Sequence, residues 1–146
     1  MEPIKLIIPA TLDQAQLGVI AVRNIAAAYY EIETGKKPGK ENTFLDQVEL
    51  AVGEACTNSA QHGSTKNSED GRIVVMFFVE EDHLTIMVKD RNAPFDFANI
   101  RPPNLDETPE SGYGIFLMKE MMDEVTCLRK DGWNILQLKK RFNTEE

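Results

Sequence analysis

Between Asp13 and about Glu33, apolar and small residues recur at Leu17, Ile20, Ala21, Ile25, Ala28 and Tyr29, the spacing of one face of an α-helix. Thr11 with Gln14 ahead of them offers a capping box, and Gly35 behind them a stop. The pattern predicts a first helix that buries this line of residues. A polar, Gly/Pro-punctuated linker, GKKPGKEN (35–42), leads into a second helical period at Leu45, Val48, Val52 and Cys56, with Asn42 or Thr43 as its cap. After Gly63 the stretch STKNSEDG has turn composition and no period, as expected of a mobile loop. The period then changes to two. RIVVMFFVE (72–80) and LTIMVKD (84–90), joined by Glu81, Asp82 and His83, read as an antiparallel hairpin, and the first run is apolar enough on both faces to lie inside a sheet and under helices. Ile4 to Ile8, ending at Pro9, suits a short edge strand. A helix from about Tyr113 to Asp123 and a second hairpin, Val125–Arg129 and Trp133–Phe142 about a turn at Lys130, Asp131 and Gly132, complete the pattern. Residues 91–112 hold four of the seven prolines and no period, which marks a lid or binding loop. The order β, α, α, ββ, α, ββ predicts an α+β two-layer sandwich: a mixed, mostly antiparallel sheet with three helices on one face.

At 146 residues the chain fits one domain, 1–146, large enough to bury a core without disulfides or structural metal. Sixteen basic residues against twenty-four acidic leave a formal charge of −8, which opposes direct nucleic-acid or anionic-membrane binding, where affinity comes from Lys and Arg neutralising phosphates. Proteins or small molecules are the expected partners. Cys56 and Cys127 are far apart, Cys56 on an apolar helix face, so both are expected as reduced, buried thiols. MEPIKLIIPATLDQ has too short an apolar run for a signal peptide, and nowhere do 18 apolar residues stand together, so a cytoplasmic location is expected.

Glu54, Asn58 and His62 stand four apart and project from one side of the second helix, away from its apolar stripe. Asparagine is mildly unfavourable inside a helix, and here it sits one turn from a carboxylate in an Ala/Ser/Thr-lined segment. A ligand would explain this; so would a half-exposed helix turning the three toward water, and the helix alone favours the second account. Asp90 ends an apolar strand, where an Asp that simply starts a turn is common. Gly112-Tyr113-Gly114 precedes a helix whose free N–H groups suit a phosphate, or else ends a flexible lid. Met118, Met121 and Met122 are most simply core filling.

Order and spacing join these weak signals. ELAVGEACTNSAQH on a helix, VKDRNAPFD at a strand end and SGYGIFLMKEMMDEV opening a helix after a lid resemble the successive motifs of the GHKL ATPase superfamily, and within it the anti-sigma-factor serine/threonine protein kinases. The resemblance covers nearly the whole chain and implies a Bergerat-type ATP-binding fold. It implies that Asn58 coordinates the Mg²⁺ bridging the ATP phosphates and that Glu54 is the general base toward a partner's Ser or Thr hydroxyl. Asp90 would accept the adenine amino group. Gly112, Tyr113, Gly114 and Ile115 would form the phosphate-side run, residues 91–112 the ATP lid, and His62 would lie near the phosphates. Two positions depart from the family's pattern. Asn92 stands where the family usually has Gly, a site Asn serves by tolerating a left-handed backbone, and Asn134 falls where a Thr is expected in the last strand. The chain lacks the lysine motifs of P-loop and eukaryotic-type kinases, which excludes those mechanisms. The implied function is a partner-switching kinase, a homodimer that sequesters a sigma factor and phosphorylates a STAS-type anti-anti-sigma protein. The alternatives are an ATP-dependent regulatory module acting on a phosphatase or other output without essential phosphoryl transfer, and a scaffold with a degenerate nucleotide site.

Overall fold

The computed structural model describes residues 2–63, 71–92 and 113–142, with only the backbone of His62, Gly63 and Tyr113. The expected loop at 64–70 and all but Arg91 and Asn92 of the expected lid lie outside the described residues. Eight elements follow in the order anticipated: β1 (Ile4–Pro9), α1 (Leu12–Thr34), α2 (Thr43–Gly63), β2 (Arg72–Glu80), β3 (His83–Asp90), α3 (Tyr113–Met121), β4 (Glu124–Lys130) and β5 (Trp133–Arg141).

The helix ends are set by local chemistry. Thr11 Oγ1 accepts the Gln14 N–H at the start of α1, and Gly35, at φ 71°, closes it in the left-handed conformation that glycine adopts without penalty. Asn42 caps α2, its Oδ1 accepting the Leu45 N–H at 2.9 Å.

The strands form one sheet in the order β1-β2-β3-β5-β4, and all four pairings are antiparallel, so the mixed sheet allowed by the sequence is not adopted. The reason lies in the connections. Both hairpins turn in two residues, Glu81-Asp82 and Asp131-Gly132; Asp131 (φ 54°) and Gly132 (φ 82°) both take the positive φ that matches a tight turn to strand twist. His83 therefore belongs to β3, paired with Glu80, rather than to the turn. After α3 the chain returns so that β5, not β4, lies beside β3, with Asp90 opposite Asn134.

All three helices cover one face of the sheet. Ile73, Val75 and Phe77 of β2 alternate into the core with Leu84, Ile86 and Val88 of β3 and Leu138 of β5. From α2 come Leu45, Val48, Val52 and Cys56, the expected stripe, and from α3 come Ile115, Met118 and Met122. Tyr30, Phe44 and Phe142 cluster beside them, with ring centroids 5.2–6.5 Å apart.

Helix α1 departs from the expectation. Ala15, Val22, Ala26, Tyr29 and Tyr30 are its buried residues, whereas Leu17, Ile20 and Ala28 face outward. Close packing selects the small side chains: a Cβ at Gly18 would collide with the Ile8 side chain of β1, and Gly53 of α2 lies 3.7 Å, measured from a built Cβ, from Val19. Arg23 also ties the two helices together by pairing with Asp46 at 2.8 Å and with Glu49. Among the described residues no helix is long and apolar enough to cross a membrane.

Candidate functional site

Two groups of polar side chains meet on α2. Glu54 and Asn58, one turn apart and half-buried, lie beneath the start of α3. A Cβ built on Gly114 falls 3.1 Å from both Glu54 Oε2 and Asn58 Nδ2, and 3.6 Å from Asn58 Oδ1. A side chain at this position would push the ends of Glu54 and Asn58 aside by a few tenths of an ångström. The first-turn N–H groups of a helix lack intrahelical acceptors and carry the positive end of its dipole, so an amide, a carboxylate and a helix N-terminus share one location. These are oxygen donors for a hard cation and N–H donors for an anion. No cluster of three His, Cys, Asp or Glu side chains occurs among the described residues, so a cation held here would need phosphate and water oxygens, the way Mg²⁺ is ordinarily bound. The pair fits such a group in its chemistry, since it offers an amide oxygen and a carboxylate. Glu54 also lines an open groove of about 430 Å³ between α1 and α2, beside Gln16, Val19, Glu49, Gly53 and Thr57.

The second group begins at the next residue. Ser59, buried, donates its hydroxyl to Asp90 Oδ2 at 2.6 Å. Asp90 Oδ1 accepts the Asn92 backbone N–H at 3.1 Å and the Asn134 side-chain amide at 2.9 Å. Asn92 in turn donates its side-chain amide to the Ser59 carbonyl at 3.0 Å, so α2 and the end of β3 are fastened together. Arg129 bridges the Asn92 carbonyl (3.0 Å) and Asn134 Oδ1 (2.9 Å). The network keeps Asp90 aimed beside α2, because hydrogen bonds to a charged acceptor are the stronger kind. Its charge is also felt by Cys127, whose thiol is pushed up by burial and then by the Asp90 carboxylate.

Of the residues picked from sequence, Glu54, Asn58, Gly114, Asp90 and Asn92 converge on these groups. Asn92 does so in a different way from that expected: it is not in the left-handed region, and a turn closed by the Asp90 side chain holds it instead. Ile115 sends its side chain into the core, so only its backbone can face a ligand. His62 and Tyr113 lie in α2 and α3, their side chains outside the described residues, as is Gly112. Sequence reasoning passed over Ser59 and Arg129. Ser59 carried a faint signal, as a hydroxyl next to Asn58; Arg129 carried none, because it reaches the site only through the β4–β5 register.

Known proteins resemble this chain over most of its length. Serine-protein kinase RsbW of Bacillus pumilus is 36% identical over 104 residues, which span 65% of this chain and 64%, just under two thirds, of that protein. Serine-protein kinase RsbW of Staphylococcus epidermidis is 32% identical over 111 residues, 70% of each chain. The solved structure of the RsbU and RsbW domains of a Mycobacterium tuberculosis protein superposes with a TM-score of 0.65 over 97% of this chain and 32% of that one; at 17% identity this is a likeness of fold. Residues 9–140 match the family described as the histidine kinase-like ATPase domain, and the chain belongs to that family.

Proposed function

We propose that the chain, as one ATPase-type domain over 1–146, is a serine/threonine protein kinase of the partner-switching kind. The observation that carries this is the approach of Gly114 to Glu54 and Asn58, which sets a carboxylate beside the place where an amide and a helix N-terminus favour phosphates. Asp90 would take the adenine amino group, residues 91–112 would close over the nucleotide, and Gly112 to Ile115 would meet the phosphates through their backbone. His62, one turn beyond Asn58, would lie near them. Asn58 would hold Mg²⁺, which when bound neutralises charge on the phosphate oxygens. Glu54 would accept the proton of a substrate hydroxyl as its oxygen bonds to the γ-phosphorus and the bond to the departing ADP breaks. A hydroxyl-bearing segment would reach Glu54 through the groove between α1 and α2.

The similarity to proteins named serine-protein kinase RsbW supports a protein substrate. In this reading the kinase sequesters a sigma factor in the cytoplasm and phosphorylates a STAS-type anti-anti-sigma protein, releasing it by adding charge at the interface. The exposed line Leu17, Ile20 and Ile32 on α1, with Ile4 and Ile7 of β1, would join two copies as a homodimer. The test is transfer of the γ-phosphoryl group to such a substrate by the wild type and by Glu54→Gln. Loss of transfer by a factor of about 10² or more, with ATP still bound, supports the mechanism. Undiminished transfer overturns it and favours an ATP-dependent switch acting by binding alone.

A further inference from the structure

Asn134 stands where the sequence pattern led us to expect a hydroxyl residue, and its environment fixes which way its amide faces. Arg129 is a donor with no acceptor, so the atom facing it is Oδ1. The opposite edge, Nδ2, meets two acceptors, Asp90 Oδ1 at 2.9 Å and the Asn92 carbonyl at 3.1 Å. The consequence falls on Asp90. A carboxylate oxygen has two lone-pair sites, and Oδ1 fills both, with the Asn92 N–H and the Asn134 amide. Among the described residues Oδ2 accepts only the Ser59 hydroxyl, which leaves its second site open to them.

We propose that Asn134, locked by Arg129, is a specificity-determining residue that makes Asp90 a single-point acceptor. This deepens the proposed function and rests on the reading of Asp90 as the base-recognising group. A 6-aminopurine offers one exocyclic N–H to one oxygen, which the open site on Oδ2 satisfies. A guanine offers two parallel donors, its ring N1–H and its 2-amino group, and their best match is one on each carboxylate oxygen. With Oδ1 filled, that fork is refused. Selection between the purines thus comes from a protein group occupying half of the carboxylate, an exclusion rather than an added attraction.

The experiment is calorimetric titration of the full chain with Mg-ATP and with Mg-GTP, for the wild type, Asn134→Ala, Asn134→Thr and Arg129→Gln, with melting curves to establish folding. The wild type should prefer ATP roughly tenfold or more, the size of one well-made hydrogen bond to a charged group. Asn134→Ala should narrow the ratio to about threefold or less, chiefly by gaining affinity for GTP, since one of the two Oδ1 sites is freed while the Asn92 N–H keeps the other. Asn134→Thr, which restores a side-chain donor on β5, should recover the preference. Arg129→Gln removes the lock from the exposed side and should shift the ratio in the direction of Asn134→Ala, which keeps the test decisive if the alanine variant does not fold. An unchanged ratio in Asn134→Ala and Arg129→Gln, or equal loss of both nucleotides, overturns the proposal while leaving the ATP site standing. Failure of the folded wild type to bind either nucleotide overturns both.

Discussion

Asp90 gathers three donors from three elements: Ser59 of α2, the Asn92 N–H just beyond β3, and Asn134 of β5. Replacing it with Asn keeps Oδ1 as an acceptor and points an amide at the Ser59 hydroxyl, which must turn to accept, so Asp90→Asn should lose the charge-assisted strength of these bonds, about 1 kcal/mol of stability, as well as nucleotide affinity. It should also speed alkylation of Cys127. The Asp90 charge raises that thiol, so removing the charge lowers its pKa and increases the thiolate present near pH 8. Cys56, pushed up to about 12 by burial, should stay unmodified in both proteins and serves as the internal control. Maleimide labelling well below the melting temperature, followed by mass spectrometry, reads both sites. At this scale Glu54, Asn58 and Asp90 stand out only through the order and spacing they share with the ATPase family, since a water-facing helix or a strand-end turn explains each of them alone. Ser59, Arg129 and the role of Asn134 were not legible, because register across β3, β5 and β4 assembles them and no local pattern encodes that register.

Helices α2 and α3 meet at Gly114, whose backbone lies close to Glu54 and Asn58. Gly→Ala inside a helix ordinarily stabilises by about 1 kcal/mol. At Gly114 the added methyl would lie 3.1 Å from Glu54 Oε2 and Asn58 Nδ2, so those groups must give way. Gly114→Ala should therefore leave the melting temperature unchanged or raised while weakening ATP binding severalfold. Gly53→Ala is the contrast: its methyl meets Val19 at 3.7 Å, an ordinary contact, so stability should rise and ATP affinity stay the same. The two helices also mark where periodicity succeeds and fails. In α2 only one line of residues is apolar, and Leu45, Val48, Val52 and Cys56 are buried as that line requires. In α1 two lines compete: near Gly18, where a Cβ would strike Ile8, Ala15, Val22 and Ala26 are buried and Leu17 and Ile20 face outward, whereas toward its C-terminal end the helix buries the large Tyr29, as expected, and Tyr30.

Over the whole molecule, Leu17 and Ile20 of the expected α1 line are left outside, 66% and 60% exposed, Ile32 of the same helix is 70% exposed, and Ile4 and Ile7 are exposed on the edge strand β1. Scattered exposed apolar residues are normal, and whether these join two copies, as proposed above, is a matter for experiment. The double variant Leu17→Glu, Ile20→Glu should halve the mass seen by sedimentation if two copies pair there, with an unchanged far-UV spectrum; an unaltered mass would remove α1 from the interface. The layer architecture was legible from element order alone, whereas the all-antiparallel strand order was not, since each hairpin reports only its own two strands. Everything proposed here turns on whether the α2 side chains and Asp90 make one nucleotide site. The direct test is calorimetric titration of the whole chain with Mg-ATP beside Asp90→Asn and Asn58→Ala. Saturable binding that weakens about tenfold or more in both variants is expected, since each removes one charged or metal-side contact. Absence of binding by the folded wild type, or binding indifferent to both substitutions, would contradict it.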